Sequence, residues 1–484
     1  MTELPNNPII TLAGMTNAGK SVFLRTFLRD QSIGVVGAGT GTTSAVDEYP
    51  LYLENEEDLL CFICDTPGFQ SIDLLVQLLN AQFPERNIES FSVKEISNLI
   101  PQGKDKPDAV PYRHDSITWE QIQKSDTVLA VIDVTEDPDL GGPQRLLLRF
   151  WKLIQKEKNL IIILNRRHYK RKDDLLPNYD LLVDKWRRIL EKESFGAIIE
   201  CDPNYRDMEV ESTLFDLLAE CHSSLRRRFI RKKERRLAEE KQLCQYSIQK
   251  IVTYLLKIAT TREKLGKGKE QDRTETEKAE KKVHSNLQSS EEQFVQDITK
   301  IWGFPASIVS EIGDFSLNVH RVEESFAKQR FLKGAAIGAF IDIPFAGFSL
   351  VAGSLIGAAT GGIVGKAYDM IQTKYFKSTR KSVYYIPDVK FFNMAIDRSL
   401  GLLTTLYHRG HGMSEKVTIK LCQMPIIELS QAVDILQVIA TQNWPHVLQL
   451  YLTKSLKEKL TIIFSDYLSS HLNQSDMTSI NIIK

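Results

Sequence analysis

An N-terminal α/β domain, built on a mainly parallel sheet with helices on both faces and followed by a mostly α-helical C-terminal region, is the fold this sequence predicts. Over the first 220 residues, short apolar runs alternate with helical stretches. Four of those runs are nearly continuous in apolar residues, as strands covered on both faces must be. Beyond residue 211 the apolar spacing turns helical. At 484 residues and 42% hydrophobic the chain can bury more than one core, which excludes a disordered tail or a mini-protein. Lys plus Arg and Asp plus Glu both number 62, so no global field favours nucleic acid or an anionic surface; such a case has to be local. Six scattered cysteines do not make a disulfide framework, and the start MTELPNNPII lacks a charged region followed by an apolar one. Both observations favour a reducing interior over secretion by a cleaved signal.

The strands expected are 8–13, 45–53, 59–64, 127–133, 159–164 and 196–200, the second more alternating and therefore suited to an edge. Between Phe69 and Trp119 a polar, Pro-containing stretch reads as an inserted helix and a mobile loop. Residues 211–264 contain neither Gly nor Pro and read as one long helix or two in line, and the charged stretch 262–284 as a flexible link or a solvated helix. These patterns divide the chain into an α/β domain at 1–222, a long basic helix and charged link at 223–300, a helical region with a Gly-rich apolar hairpin (334–365) at 301–384, and a C-terminal helical region at 385–484. No internal repeat of 20 to 50 residues is present.

Gly14-Met-Thr-Asn-Ala-Gly19-Lys20-Ser21 fits G-x-x-x-x-G-K-[ST], directly after the strand 8–13 and at the start of a helical stretch. Glycines in such a loop let successive amides, through Asn17, Ala18 and on to Val22, face phosphates at a helix N-terminus. Lys20 would reach the β- and γ-phosphates and Ser21 would ligate Mg²⁺. Asp65-Thr66-Pro67-Gly68 stands at the end of the strand 59–64, where a carboxylate can hold Mg²⁺ through water and the Gly68 amide can touch a γ-phosphate. Between the two, Gly37-Ala-Gly-Thr-Gly-Thr42-Thr43 is a Gly/Thr loop of the kind that closes a hydroxyl onto Mg²⁺, Thr43 being preferred over Thr42. Together these read as the phosphate site and switches of a GTPase.

The three motifs in this order resemble the translation-factor-related P-loop GTPases, in particular the Era and MnmE branch. The resemblance implies that Asn17 helps bind a monovalent cation beside the phosphates, and GTT at 41–43 is similar to that branch's switch loop. Phe69 follows DTPG where Ras-like proteins carry the glutamine that orients water, so potassium in place of an arginine finger is the implied catalytic aid. Where the family has N-K-x-D to read guanine, this chain has Asn165-Arg166-Arg167-His168: Asn165 is kept and the aspartate is not. Either Asp173 or Asp174 substitutes, or base recognition is relaxed. Cys201-Asp202-Pro203 also departs from the family's Ser-Ala. GTP is preferred over ATP by resemblance alone. Over nearly its whole length the chain also resembles a bacterial subfamily in which an Era-like G domain precedes a domain of unknown function. The matching segments are MTNAGK (15–20), VLAVIDVTEDPDLG (128–141), KGAAIGAFIDIPFAGFSL (333–350) and HRGHG (408–412).

Residues 345–365 are 21 uncharged residues, about the ~20 a spanning helix needs, but six are Gly. Gly353, Gly357, Gly361 and Gly365 lie on one helical face, where another backbone can approach closely. The hairpin they imply either packs in a helical core or enters a membrane. Eight Lys/Arg lie between Leu225 and Leu237; they are either a solvated face paired with Glu234, Glu239 and Glu240, or a contact for anionic lipid or RNA phosphates. Cys61 and Cys64 read as buried strand residues, and His408 and His411 as solvated histidines in a turn.

The functional expectation is a GTP-binding, GTP-hydrolysing switch that uses Mg²⁺ and K⁺. It would be cytoplasmic and peripheral to, or inserted in, a bacterial inner membrane, with possible self-association through the G domain or the Gly-rich hairpin. An RNA- or ribosome-associated GTPase, or a nucleotide-binding scaffold with negligible turnover, are the alternatives.

Overall fold

A computed structural model describes residues 7–33, 44–54, 58–100, 107–166, 179–265, 273–309, 319–323, 383–387, 389–411, 416–417, 424, 426–441 and 446–472. The chain divides into two compact units, Met1–Tyr246 with Leu403–Thr418, and Ser247–Leu402 with Ile419–Lys484.

The first unit is the α/β domain. Its strands are β1 (Ile9–Gly14), β2 (Asp47–Tyr52), β3 (Leu59–Asp65), β4 (Thr127–Asp133), β5 (Asn159–Asn165) and β6 (Ile198–Cys201). They pair in the order β2-β3-β1-β4-β5-β6, with β2 antiparallel to β3 and the other neighbours parallel. The alternating strand is thus an edge, and its Pro50 is tolerated because an edge strand needs only one ladder. Side-chain alternation splits the apolar residues between two cores. Val128, Ala130 and Ile132 of β4 join Trp119, Trp151 and Trp186 on one face, while Leu129 and Val131 join Phe23, Phe27 and Phe215 on the other. Helices on both faces follow from strands that have no polar side to offer water.

Those helices are α1 (Lys20–Leu28), α2 (Ile72–Gln82), α3 (Val93–Leu99), α4 (Arg113–Lys124), α5 (Pro143–Glu157), α6 (Tyr179–Lys192) and α7 (Met208–Cys221). Local chemistry fixes several of the ends. Ser92 and Glu95 cap α3 reciprocally, Asp207 accepts the N–H groups of Glu209 and Val210 at the start of α7, and Pro143 occupies the first turn of α5 after Gly142. The stretch between Phe69 and Trp119 therefore holds α2, α3 and the first part of α4, more helix than the sequence suggested.

Of the two readings of 211–264, one long helix or two, the structure has two: α7 ends at Cys221, and α8 (Arg226–Thr260) starts after a 3-10 turn at Ser223–Leu225. In the second unit α9 (Arg273–Ile301) takes up most of the charged stretch, burying Ala279, Val283 and Leu287. The second unit also contains a small antiparallel sheet that the sequence reading missed, Glu263–Lys264, Val383–Pro387 and Val319–Glu323 in that order. Within this unit Tyr254 stacks on Phe294 at 4.5 Å, and Trp302 donates to Ser247 Oγ at 3.0 Å. Arg398 pairs with Glu291 at 2.9 Å, while burial pushes the Glu291 carboxyl up to about 7. Further helices cover Val389–His408, Ile426–Thr441 and His446–Leu472. The Gly-rich segment 334–365 lies outside the described residues, and among those described no helix is long and apolar enough to cross a membrane.

Candidate nucleotide site

The parallel strands β1, β3 and β4 end at one rim of the sheet, the place where such sheets bind ligands. From β1 the chain turns through Asn17 (φ 66°) and Gly19 (φ 89°) before α1 begins at Lys20. A Cβ on Gly19 would stand 2.3 Å from Asn165 Nδ2, so both the turn and the close approach demand glycine. The loop closes on itself through the Ala18 N–H, which donates to Met15 O at 3.1 Å. Ala18 and Val22 are buried, so what they can offer a phosphate is backbone N–H. Asn17 is exposed.

Lys20 is 5% exposed and its ammonium donates to Met15 O at 3.0 Å. Burial brings it down to about 8, against the pull of Asp65. Ser21 Oγ donates to Asp65 Oδ2, while Asp65 Oδ1 is buried with no hydrogen-bond partner. Burial raises the Asp65 carboxyl, with Lys20 and Ser21 opposing. A buried carboxylate oxygen with no donor, beside a serine hydroxyl, is a donor set suited to a hard cation. Ser21 and Asp65 would hold Mg²⁺, which supplies charge neutralisation to bound phosphates. Thr43, with the whole loop 37–43, lies outside the described residues.

The segment that follows Asp65 is zipped to the phosphate loop. Thr66 Oγ1 donates to Leu12 O at 2.7 Å, the Phe69 N–H to Gly14 O at 2.8 Å, and the Thr16 N–H to Phe69 O at 2.8 Å. Gly68 sits at φ 86°, and a Cβ there would meet Lys20 Nζ at 2.3 Å, so its backbone lies directly against the Lys20 ammonium. Phe69 is fully buried, with ring centroids 5.6 Å from Trp119 and 5.8 Å from Trp151. Its side chain serves the core and cannot orient water; Gln70, the next residue, is exposed.

Sequence reasoning missed two residues of α4 that touch this segment. Thr118 Oγ1 accepts the Gly68 N–H at 3.2 Å, and Asp115 accepts the N–H groups of Gln70 (2.9 Å) and Ser71 (3.1 Å). Burial pushes Asp115 up to about 6, although both backbone bonds favour its ionised form. No sequence motif marks these two residues.

At the base end Asn165 Nδ2 donates to Ala18 O at 2.6 Å, tying β5 to the phosphate loop, and Asn165 Oδ1 is buried without a partner. The Arg166 guanidinium pairs with Asp180 at 2.6 Å. Residues 167–178, which include Asp173 and Asp174, lie outside the described residues. Asp202 is buried after β6 and accepts the Asn204 N–H at 3.0 Å.

Two expectations are corrected here. His411 is buried and His408 is half-buried, so neither is a freely solvated turn histidine. The Arg206 N–H donates to His408 O at 2.8 Å, the Gly410 N–H donates to Asn204 O at 2.8 Å, and His411 is 6% exposed. Burial, then Arg206, Arg29 and Arg236, drive the His411 ring down to about 4, so it is neutral at physiological pH. The basic helix does not pair chiefly with its own glutamates. Arg228 pairs with Asp58, Arg231 with Glu54 and Lys233 with Asp216, while Arg236 is buried; of the expected local pairs only Arg235–Glu239 forms, at 3.0 Å. Cys61 and Cys64 are buried in β3 as expected, and among the described residues no group of His, Cys, Asp and Glu could hold a metal ion by itself.

A mainly parallel α/β sheet whose rim carries a G-x-x-x-x-G-K-S loop, a Ser–Asp cation donor pair and a glycine of the second switch against the loop lysine has the architecture of a P-loop GTPase domain. In agreement, residues 9–166 match the family model described as 50S ribosome-binding GTPase, and residues 187–426 match a domain of unknown function, DUF3482. The chain thus carries a match to the GTPase family model followed by a match to that second domain. No curated protein matches the chain.

Among solved structures, it is similar to a variant of Aquifex aeolicus Era bound to GDP and AlF4⁻ (18% identity, TM-score 0.27, covering 40% of this chain and 51% of that one). Era in complex with MgGDPNP and a segment of 16S ribosomal RNA gives the same identity, coverage and score. An S. thermophilus NFeoB variant bound to GDP and AlF4⁻ is 15% identical, with TM-score 0.25, covering 62% of this chain and 93% of that one. The chain therefore spans about half the length of the Era structures it matches.

Proposed function

We propose that the protein is a GTP-driven molecular switch, slow alone and accelerated when a partner, a surface or self-association orders its switch loops. The observation that carries this reading is the cluster of buried Lys20 and Asp65 with half-buried Ser21, the orphaned Asp65 Oδ1 being available for Mg²⁺ coordination through water. In it Lys20 stabilises the β- and γ-phosphates, backbone from Gly14 to Val22 cradles them, Ser21 and Thr43 ligate Mg²⁺, Gly68 senses the γ-phosphate and Asn165 steadies the base side. Potassium beside the phosphates, held with the help of Asn17, neutralises developing charge. Two facts support that step: Asn17 is exposed in a left-handed turn of the loop, and Phe69 is turned into the core.

The output is at an anionic membrane. Because most of the basic helix is engaged with the protein itself, this part rests on the length and glycine pattern of 334–365. GTP turnover measured in potassium and in sodium, with and without anionic liposomes, tests both parts. Potassium-dependent turnover, raised by liposomes and unresponsive to them after deletion of 334–365, is expected; equal rates in the two salts remove the potassium step. A ribosome-linked output is the second reading, favoured by the description of the family model over 9–166 and by the exposed Arg226 and Arg227. It predicts salt-sensitive RNA binding that Arg226→Ala and Arg227→Ala weaken.

A further inference from the structure

The Gly68 amide has two suitors. It lies against Lys20 Nζ, where a γ-phosphate oxygen would accept its N–H, and it is donated to Thr118 Oγ1 at 3.2 Å. Thr118 and Asp115 are three residues apart on α4 and so share one face. Both are fully buried, and Asp115 holds the next two amides of the same segment, Gln70 and Ser71. Ser71 Oγ in turn donates to Pro111 O at 2.7 Å, one turn ahead of α4. The second switch is therefore fastened at three residues, Gly68, Gln70 and Ser71, to one helix face, and only its first fastening uses the amide that faces the phosphates. A third phosphate has to take Gly68 from Thr118, whereas GDP leaves that bond in place. A phosphate oxygen is the stronger acceptor because it is charged.

We infer that Thr118 and Asp115 are positioning residues that set how far the protein discriminates GTP from GDP: Thr118 by competing with the γ-phosphate for the Gly68 N–H, and Asp115 by anchoring the hinge at Gln70 and Ser71 about which Gly68 moves. This rests on the GTPase reading proposed above. Neither residue needs to touch nucleotide; each acts through the switch backbone.

The test is equilibrium binding of GDP and of a non-hydrolysable GTP analogue to the full chain. Thr118→Val keeps the side-chain shape and removes the acceptor, so the ratio of GTP-analogue to GDP affinity should rise about fivefold, the effect of losing one neutral hydrogen bond from the GDP state alone. Thr118→Ser, which keeps the hydroxyl, should restore the wild-type ratio. Asp115→Asn retains one acceptor oxygen and should move the ratio in the same direction by less, which keeps the inference testable if Thr118→Val does not fold. An unchanged ratio, or equal changes for both nucleotides, overturns it. Wild-type GDP binding in the same titration separates the two levels: its absence removes the GTPase reading and this inference together, whereas intact GDP binding with an unchanged ratio overturns this inference alone.

Discussion

The two ends of the nucleotide site are built to different degrees. At the phosphate end, Lys20, Asp65 and Gly68 are buried side by side, half-buried Ser21 donates to Asp65, and a carboxylate oxygen is left over for a cation. At the base end Asn165 spends one N–H on the phosphate loop, Arg166 is paired with Asp180, and the residues that follow, 167–178, lie outside the described residues. The contrast teaches that, among the described residues, the groups a nucleotide and its metal would meet are gathered at the phosphate end, with Asn165 the described side chain at the other.

The largest effect expected from that contrast is at Asp65. Asp65→Asn should lower GTP turnover by at least about a hundredfold and abolish the rise in nucleotide affinity with Mg²⁺, since several kcal/mol of metal-borne charge stabilisation is removed. A Mg²⁺ titration of wild type and variant checks this. Asn165→Ala, at the base end, should weaken GTP and GDP alike by about tenfold, because it removes one hydrogen bond that braces the loop and leaves Ala18 O unpaired; a calorimetric titration would show it. A smaller change in affinity than Asp65→Asn produces in turnover is required if the phosphate end dominates.

The pH dependence sharpens the same point. Lys20 sits at about 8 and bound phosphates favour its charged form, so above pH 8 the free protein must take up a proton to bind. Affinity should fall several-fold between pH 7 and pH 9, with proton uptake visible in buffers of different ionisation enthalpy; flat affinity across that range would contradict the burial of Lys20. Asp115 gives a dependence of the same sign, in stability and at lower pH. Its native form, raised to about 6, binds a proton more readily than the unfolded chain, so its contribution favours the fold as pH falls from 6 towards 4. Asp115→Asn should flatten that part of the stability profile measured by urea melts. The smallest effect is at Arg228, whose partly exposed pair with Asp58 is worth up to about 1 kcal/mol. Arg228→Ala should shift stability by no more than that and leave RNA and liposome binding unchanged; loss of either ligand would reopen the basic helix as a contact surface.

The phosphate end was legible because its geometry is local. Eight consecutive residues, Gly14 to Ser21, encode the loop, and Asp65 closes the neighbouring parallel strand, so spacing alone carries the chemistry. The sheet was legible for the same reason: continuous apolar runs dictate burial on both faces, and the alternating run fell at the edge. Asp115 and Thr118 were not legible, because their bonds join residues 44 to 50 apart in the chain and depend on how α4 packs. His408 and His411 read as solvated because nothing in HRGHG tells that Asn204 and Arg206 cover it. Likewise a run of eight basic residues looks free until Glu54, Asp58 and Asp216 are found opposite it.

The most direct test compares wild type with Lys20→Ala in single-turnover GTP hydrolysis and in GDP binding, both with Mg²⁺. The account predicts Mg²⁺-dependent binding and slow hydrolysis in the wild type, and loss of affinity by about a hundredfold or more in the variant, as removal of a buried charge-assisted contact to phosphate requires. Undiminished nucleotide affinity in Lys20→Ala would contradict it.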